Sequence, residues 1–331
     1  MKNNMGTKIK DLFNIYPKSK RNAAFGNTEG KYPFFTSSNI VDRFVNEFDY
    51  FGEFLIIGDG GSGNVKYYNG AFSASDHNFL LKPKDGCNSL CVYYFLKKNN
   101  YEVLNNGFKG TGIKNISKNY IKEITYSHNS KYSEEFIVKT LSKIENEIAN
   151  ENKYVLCLND LIKSRFKEMF LSRKGLPKRK WADVLTIYNG RDYKKNVSNE
   201  TEGFPVYGSG GFMYVYADRF ICEGTLIIIG RKGTIDRPIL VKGKIWNIDT
   251  AFGIKTDSKV LNPVFFYYRS KFYDYKDMNK QTTKPSLTKS DLLKLDIELP
   301  SMNEQRTFVD FVEQADKLKF SFLIPSKMVI V

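Results

Sequence analysis

The chain has two histidines, His77 and His128, and four cysteines, Cys87, Cys91, Cys157 and Cys222. A histidine that works as a general base or a metal ligand needs a carboxylate, a nucleophile or further ligands beside it. No spacing in the sequence offers either histidine such a partner, so no catalytic residue and no metal site is expected. Cys87 and Cys91 are four apart, but no second Cys/His pair follows to complete a zinc site. The thiols read as reduced, core-packed residues of a cytoplasmic protein. Gly58-Asp59-Gly60-Gly61-Ser62-Gly63 has the glycine density of a phosphate-cradling loop. It lacks the Gly-Lys-Ser/Thr ending, and Asn64 to Phe72 read as turn and strand, not as the helix whose N-terminus would hold the phosphate. A tight turn between strands accounts for it.

Asn262-Pro263-Val264-Phe265 is similar to the Asn-Pro-Pro-Tyr/Phe motif of adenine methyltransferases. The second proline is missing, and no glycine-rich cofactor turn precedes it after a strand. Helix capping by asparagine, with proline in the first turn, explains it better. The acidic residues form no nuclease-like group.

Weak chemistry at single sites contrasts with a strong pattern along the chain. Tyr32-Pro33-Phe34-Phe35-Thr36-Ser37-Ser38 returns as Phe204-Pro205-Val206-Tyr207-Gly208-Ser209-Gly210. Ile56-Ile57-Gly58-Asp59-Gly60-Gly61 returns as Ile228-Ile229-Gly230-Arg231-Lys232-Gly233. Asp76-His77-Asn78-Phe79 faces Asp249-Thr250-Ala251-Phe252, Asn88 with Tyr93-Tyr94 faces Asn262 with Tyr267-Tyr268, and Ile116-Ser117-Lys118 faces Leu287-Thr288-Lys289. Apolar and turn positions recur while the polar residues between them change. Two copies of one scaffold with different polar faces suit a molecule that reads two different things.

With 331 residues, 41% hydrophobic and 15% aromatic, the chain can bury two cores. No apolar run reaches the roughly 18 residues of a membrane span. Met1-Lys2-Asn3-Asn4 leads into Lys8-Ile9-Lys10 without the apolar stretch of a signal peptide. The formal charge of +15 is unevenly placed: 18 basic against 11 acidic residues in 1–132, 6 against 7 in 133–172, 23 against 14 in 173–302, and 3 against 4 in 303–320. The excess belongs to the repeated parts, as expected of surfaces that face a phosphate backbone.

Each copy reads as short buried strands punctuated by glycine, Phe54-Leu55-Ile56-Ile57 and Leu226-Ile227-Ile228-Ile229, followed by one helix opening at Asn88 or Asn262. From Ser133 the chain runs without Gly or Pro to Leu171, with Ile137, Leu141, Ile144, Ile148, Val155, Leu158, Ile162 and Met169 alternating at spacings of four and three. That predicts a long helix with a coiled-coil stripe, interrupted only at Glu151 and Arg165. A second such helix begins at Ser301, with Phe308, Val312, Ala315 and Leu318 on its seam. After Lys319 the regular pattern gives way to Phe320 through Val331 with an internal Pro325, which reads as a shortened helix. The fold class expected is α/β (α+β): two strand-rich domains, 1–132 and 173–302, in pseudo-twofold repeat, joined by antiparallel helices at 133–172 and 303–331.

The chain resembles the specificity subunit of type I restriction-modification systems. Gly230-Arg231-Lys232-Gly233-Thr234-Ile235, Asn247-Ile248-Asp249-Thr250-Ala251-Phe252 and Leu287-Thr288-Lys289 carry the resemblance. Leu299-Pro300-Ser301-Met302-Asn303-Glu304-Gln305 at the entry to the last helix and Ile162-Lys163-Ser164-Arg165-Phe166 complete an ordered set covering nearly the whole chain. The resemblance implies a non-catalytic reader of double-stranded DNA, each domain taking one half of a bipartite target. It further implies that the helices set the spacer and dock two adenine methyltransferase subunits, with restriction subunits joining the full complex. S-adenosylmethionine, ATP and magnesium are then expected only in those partners. The alternative is a shortened scaffold that assembles methyltransferase subunits without reading DNA itself.

The DNA-facing candidates are polar and basic residues at turns flanking the repeated strands. In the first copy they are Thr36, Ser37, Ser38, Ser62, Asn64, Lys66, Lys109, Thr111, Lys114 and Asn115. In the second they are Ser209, Arg231, Lys232, Lys280, Gln281, Thr282 and Lys284. Arg pairs bidentately with guanine and Asn or Gln with adenine, while Lys more often positions on phosphate.

Overall fold

A computed structural model describes residues 6–112, 114–128, 131–198, 203–275 and 286–328. The chain divides into two compact units, Met1–Glu147 and Ile148–Val331, and the division falls inside the long helix. The first unit runs β1 (Thr7–Lys8), α1 (Ile9–Leu12), β2 (Phe13–Ile15), β3 (Tyr32–Phe35), β4 (Phe44–Val45), β5 (Tyr50–Gly58), β6 (Val65–Ala74) and β7 (Asn78–Pro83). It continues with α2 (Ser89–Lys98), β8 (Phe108–Lys109), β9 (Asn115–Ile116), α3 (Lys118–Glu123) and β10 (Thr125–Tyr126), and then enters α4 (Glu134–Phe166). The second unit follows the same plan: β11 (Lys178–Lys180), α5 (Trp181–Val184), β12 (Leu185–Asn189), β13 (Phe204–Gly208), β14 (Gly211–Ala217), β15 (Cys222–Gly230), β16 (Ile239–Asn247) and β17 (Ala251–Thr256). It ends with α6 (Pro263–Ser270), α7 (Lys289–Leu293), β18 (Asp296–Glu298) and α8 (Met302–Met328).

Each unit is built on a six-stranded sheet of one topology, β2-β7-β5-β6-β3-β4 in the first and β12-β17-β15-β16-β13-β14 in the second. In each, one parallel pair, β3 with β6 or β13 with β16, stands among antiparallel ones. The continuous apolar runs arise because the central strand is buried on both faces. Phe54 and Ile56 pack with Phe35, Phe72 and Leu80, while Leu55 and Ile57 pack with Phe79, Leu81, Val92 and Leu96 under α2. In the second unit Leu226 and Ile228 take one face and Ile227 and Ile229 the other.

Paired glycines face each other in both ribbons. Gly52 stands opposite Gly70 with φ of 105° and 153°, and Gly224 opposite Gly243 with φ of 116° and 105°. Left-handed backbone at facing positions is accessible to glycine and costly for other residues. In the second unit the Cys222 thiol lies close to Gly253, where an added Cβ would meet sulfur at 2.9 Å. Glycines read from the sequence as punctuation therefore also shape the interior.

The helices open on the caps that the sequence offers. Asn88 accepts from Cys91 N, Asn262 from Val264 N and Phe265 N, Ser117 from Tyr120 N and Thr288 from Asp291 N. The first turns of α4 belong to the first unit, where Tyr94 Oη donates to Glu145 Oε2 at 2.9 Å and Lys97 pairs with Glu145 at 2.6 Å. In the second unit the rest of α4 packs antiparallel to α8: Tyr154 stacks on Phe322 and Phe166 meets Phe308, so the order reverses along the pair. Two seam positions differ from the sequence reading. At the end of α4 the buried step falls on Phe166, beside the interruption at Arg165, and in the wide turn Lys167–Leu171 Phe170 is buried while Met169 packs against the same core. On α8, Leu318 is 53% exposed, while the Lys319 side chain lies against the protein and pairs with Asp316. The helix itself continues past Pro325 to Met328.

Candidate nucleic-acid interface

In the first unit the turn glycines after β5 gather three segments that are distant in sequence. Gly60 bridges to Asn115, Gly61 N donates to Lys114 O at 3.0 Å, and Ile116 N donates to Asp59 O at 3.0 Å. On the other side Asn64 Nδ2 donates to Ser37 O at 2.8 Å, and Lys66 Nζ donates to Thr36 O at 3.3 Å and to Asn64 Oδ1 at 2.8 Å. Thr36, Ser37, Ser62, Asn64, Lys66, Lys114 and Asn115 therefore sit around one turn. Thr36, Ser37 and Ser38 also line a cavity of about 410 Å³ with Ala23, Asp42 and Arg43. Lys109 pairs with Asn115 across the β8–β9 hairpin, which holds Thr111 near its tip. Within this group, Asn64 is only 6% exposed and spends its amide on Ser37, Ser62 and Lys66, so it braces the turn. Burial also pushes the Lys66 ammonium down to about 8.

The second unit repeats the gathering with other side chains. Arg231 N donates to Thr250 O at 2.8 Å, Leu287 N donates to Arg231 O at 2.9 Å, and Lys232 bridges to Ser286. Ser209, at the β13–β14 turn, lies against Gly230 and Gly233; a Cβ on Gly230 would meet Ser209 Cβ at 3.0 Å. Ser209, Arg231 and Lys232 are thus brought together, with Arg231 and Lys232 exposed. Lys280, Gln281, Thr282 and Lys284 lie outside the described residues, just before Ser286.

The matching backbone bonds place Asp59 and Arg231 at one structural position. Asp59 N donates to His77 O as Arg231 N does to Thr250 O. Asp59 is 6% exposed and pairs with Lys18 and, at 3.1 Å, with His77 Nδ1. Its counterpart is an exposed guanidinium 6.0 Å from the Phe252 ring centre. One scaffold position therefore carries an inward-paired acid in one unit and an outward cation in the other. Both histidines thus have neighbours that sequence spacing did not reveal, His77 the Asp59 carboxylate and His128 the pair Cys91 and Glu134.

Sequence reasoning missed a second contrast. The register Gly52↔Gly70 against Gly224↔Gly243 puts Ile221 where the first unit has Asp49, and Arg219 where it has Glu47. In the first unit Arg21 clasps Asp49 with two bonds of 2.7 Å. Burial pushes the Asp49 carboxyl up, but the bonds from Arg21 and Ser73 outweigh it and hold the group below its ordinary range. In the second unit Arg191, Asp192, Asn196, Arg219, Phe220, Ile221 and Trp246 line an open cleft of about 350 Å³. The signal available in the sequence was the exchange of Glu47 and Asp49 for Arg219 and Ile221, which needs the strand register to be seen.

The model of the type I restriction modification DNA specificity domain matches residues 1–156 and 174–323. The chain belongs to this specificity family. It is 24% identical over 153 residues to the EcoDI type I restriction enzyme specificity subunit of Escherichia coli. That match spans 46% of this chain and 34% of the relative's length. Among solved structures it is similar to the S subunit of a type I restriction-modification system from M. genitalium, with a TM-score of 0.69 and 19% identity over 100% of this chain and 94% of that one. A chain from a structure on complex assembly and conformational transition of the type I R-M system gives a TM-score of 0.53 and 11% identity, covering 97% and 93%. At these identities the likeness establishes a shared fold, and the family match covers both sheets and most of the two long helices. No helix among the described residues is long and apolar enough to cross a membrane.

Proposed function

We propose that this chain is the sequence-reading subunit of a type I restriction-modification assembly in the cytoplasm. Each unit contacts one part of a bipartite duplex target through its turn cluster, and α4 with α8 sets the unread spacer. The observation that supports this most is the recurrence of one backbone cluster in both units with different polar residues. A constant scaffold with exchanged side chains is what two different base sequences require. In this reading Arg231 and Lys232 face DNA, whereas Asn64 and Lys66 hold the Thr36–Ser38 turn that does. Catalysis belongs to partner subunits: two adenine methyltransferases that bind S-adenosylmethionine, and ATP- and magnesium-dependent restriction subunits.

The test is duplex binding by the chain together with its methyltransferase partner across a salt series. Arg231→Ala weakens binding and lowers the salt slope by about 0.9 if one phosphate contact is lost. Lys153→Ala, exposed on α4, leaves both unchanged. Equal effects from the two substitutions reject the assignment. A partner-bound chain with no duplex affinity supports the scaffold reading instead.

A further inference from the structure

At the foot of α4 the first unit holds a constellation that DNA reading does not use. Cys91 on α2, His128 after β10 and Glu134 in the first turn of α4 bring a sulfur, an imidazole nitrogen and a carboxylate oxygen within 4.8 Å of one another. Cys91 is buried, and the other two are half-buried and reachable from solvent. His128 Nε2 lies 2.8 Å from the Tyr132 carbonyl oxygen. A carbonyl only accepts, so Nε2 carries a hydrogen in this bond. Metal-ligating histidines are commonly oriented by such a bond from the far nitrogen. The Tyr126 hydroxyl stands beside the group, 2.7 Å from Glu134 Oε1 and 3.2 Å from Cys91 Sγ.

The second unit serves as an internal control. Counting from the capping asparagines, Cys91 corresponds to Phe265. The pairings Lys8↔Thr125 and Lys180↔Asp296, each beside a short helix, make Tyr126 equivalent to Ile297 and His128 to Leu299. Counting from Ser133 and Ser301, Glu134 corresponds to Met302. Phe265 and Ile297 are fully buried, and Leu299 packs on the same core. The fold closes this corner with hydrocarbon in one copy, so it does not by itself require a thiol, a phenol, an imidazole and a carboxylate in the other.

We propose that Cys91, His128 and Glu134 bind a zinc-type divalent cation that fastens the start of α4 to the first unit. Thiolate, imidazole and carboxylate together suit zinc, with water completing a tetrahedron. Zinc bonds of about 2.0–2.3 Å place ligand atoms roughly 3.5 Å apart, a spacing that atoms already within 4.8 Å of one another reach by small side-chain movements. The cation replaces the Cys91 thiol proton, which leaves to solvent. Tyr126 keeps its bond to Glu134 as an outer-sphere donor. This inference is independent of the DNA reading.

The experiment is a cobalt(II) titration of the metal-free full chain, followed by absorption, with zinc competition and elemental analysis. The expected result is a saturable thiolate-to-cobalt charge-transfer band at about one equivalent per chain, displaced by zinc. Cys91→Ser abolishes it, His128→Ala weakens binding about tenfold or more, and Cys157→Ser, at the exposed thiol on α4, leaves it unchanged. Zinc raises the melting temperature of the wild type and of Cys157→Ser, but not that of Cys91→Ser. Absence of the band in the wild type overturns the proposal without recourse to any variant. A band that persists in Cys91→Ser or disappears in Cys157→Ser overturns it as well.

Discussion

Gln305 gives the sharpest test of how α8 is fixed to the second unit. Its side chain is fully buried, accepts from Asn262 N at 2.8 Å, and donates to Val260 O and Pro300 O at 3.0 Å each. Asn262 in turn caps α6, so one amide joins two helices and a loop. Gln305→Leu keeps most of the volume but orphans one N–H and two carbonyls. At about 1–3 kcal/mol for each buried unsatisfied group, the loss is about 4 kcal/mol. Gln305→Ala opens room for a water that re-satisfies part of the set, which lowers the loss to about 2 kcal/mol. The hydrogen-bond account therefore ranks alanine above leucine, and a packing account ranks them the other way. Urea unfolding followed by tryptophan fluorescence reads the second unit alone, because both tryptophans, Trp181 and Trp246, lie in it. A leucine variant as stable as the alanine variant, or within about 1 kcal/mol of wild type, refutes the reasoning.

Gly230→Ala puts a Cβ 2.0 Å from Thr234 O, a backbone atom, so the Arg231–Thr234 turn must move. Duplex affinity should fall at least as far as in Arg231→Ala while tryptophan fluorescence still reports a folded unit; unchanged affinity counts against the cluster. Lys66 tests burial through pH. Its ammonium is pushed down to about 8 in the fold, against about 10.4 in an unfolded chain. The unfolded state therefore binds more protons between those values, so the penalty is full below 8 and fades as pH rises. Relative to Lys66→Met, the wild type should gain stability from about pH 8 towards 10.4, read by far-ultraviolet circular dichroism; parallel pH curves argue against it.

The sequence made the duplication, the caps and the long helices legible because each rests on local chemistry: Asn88 and Asn262 cap whatever follows them, and a four-three stripe has few alternatives to a helix. The turn cluster was partly legible, since Gly60 and Lys232 sit at repeated turns whose far partners, Asn115 and Ser286, lie in or beside the next repeated segment. Asn64 and Lys66 were harder to assign, because whether a polar residue at a turn faces out or braces the turn depends on the Thr36–Ser38 segment coming back to it. Phe166 rather than Arg165 continues the buried stripe because it lies one four-residue step after Ile162 on the same helix face. The paired glycines needed strand register, which composition does not encode. His128 meets Cys91 where α2 packs against the end of β10, with Tyr126 Oη 3.2 Å from Cys91 Sγ, a contact that local spacing does not encode.

Methylome sequencing of the source strain with and without this gene tests the central claim most directly. The account predicts that deletion removes methylation at one asymmetric motif made of two short specified parts separated by an unspecified spacer, and that restoring the gene restores it. An unchanged methylome, or loss of a single uninterrupted motif, contradicts a chain that reads DNA with two separate units.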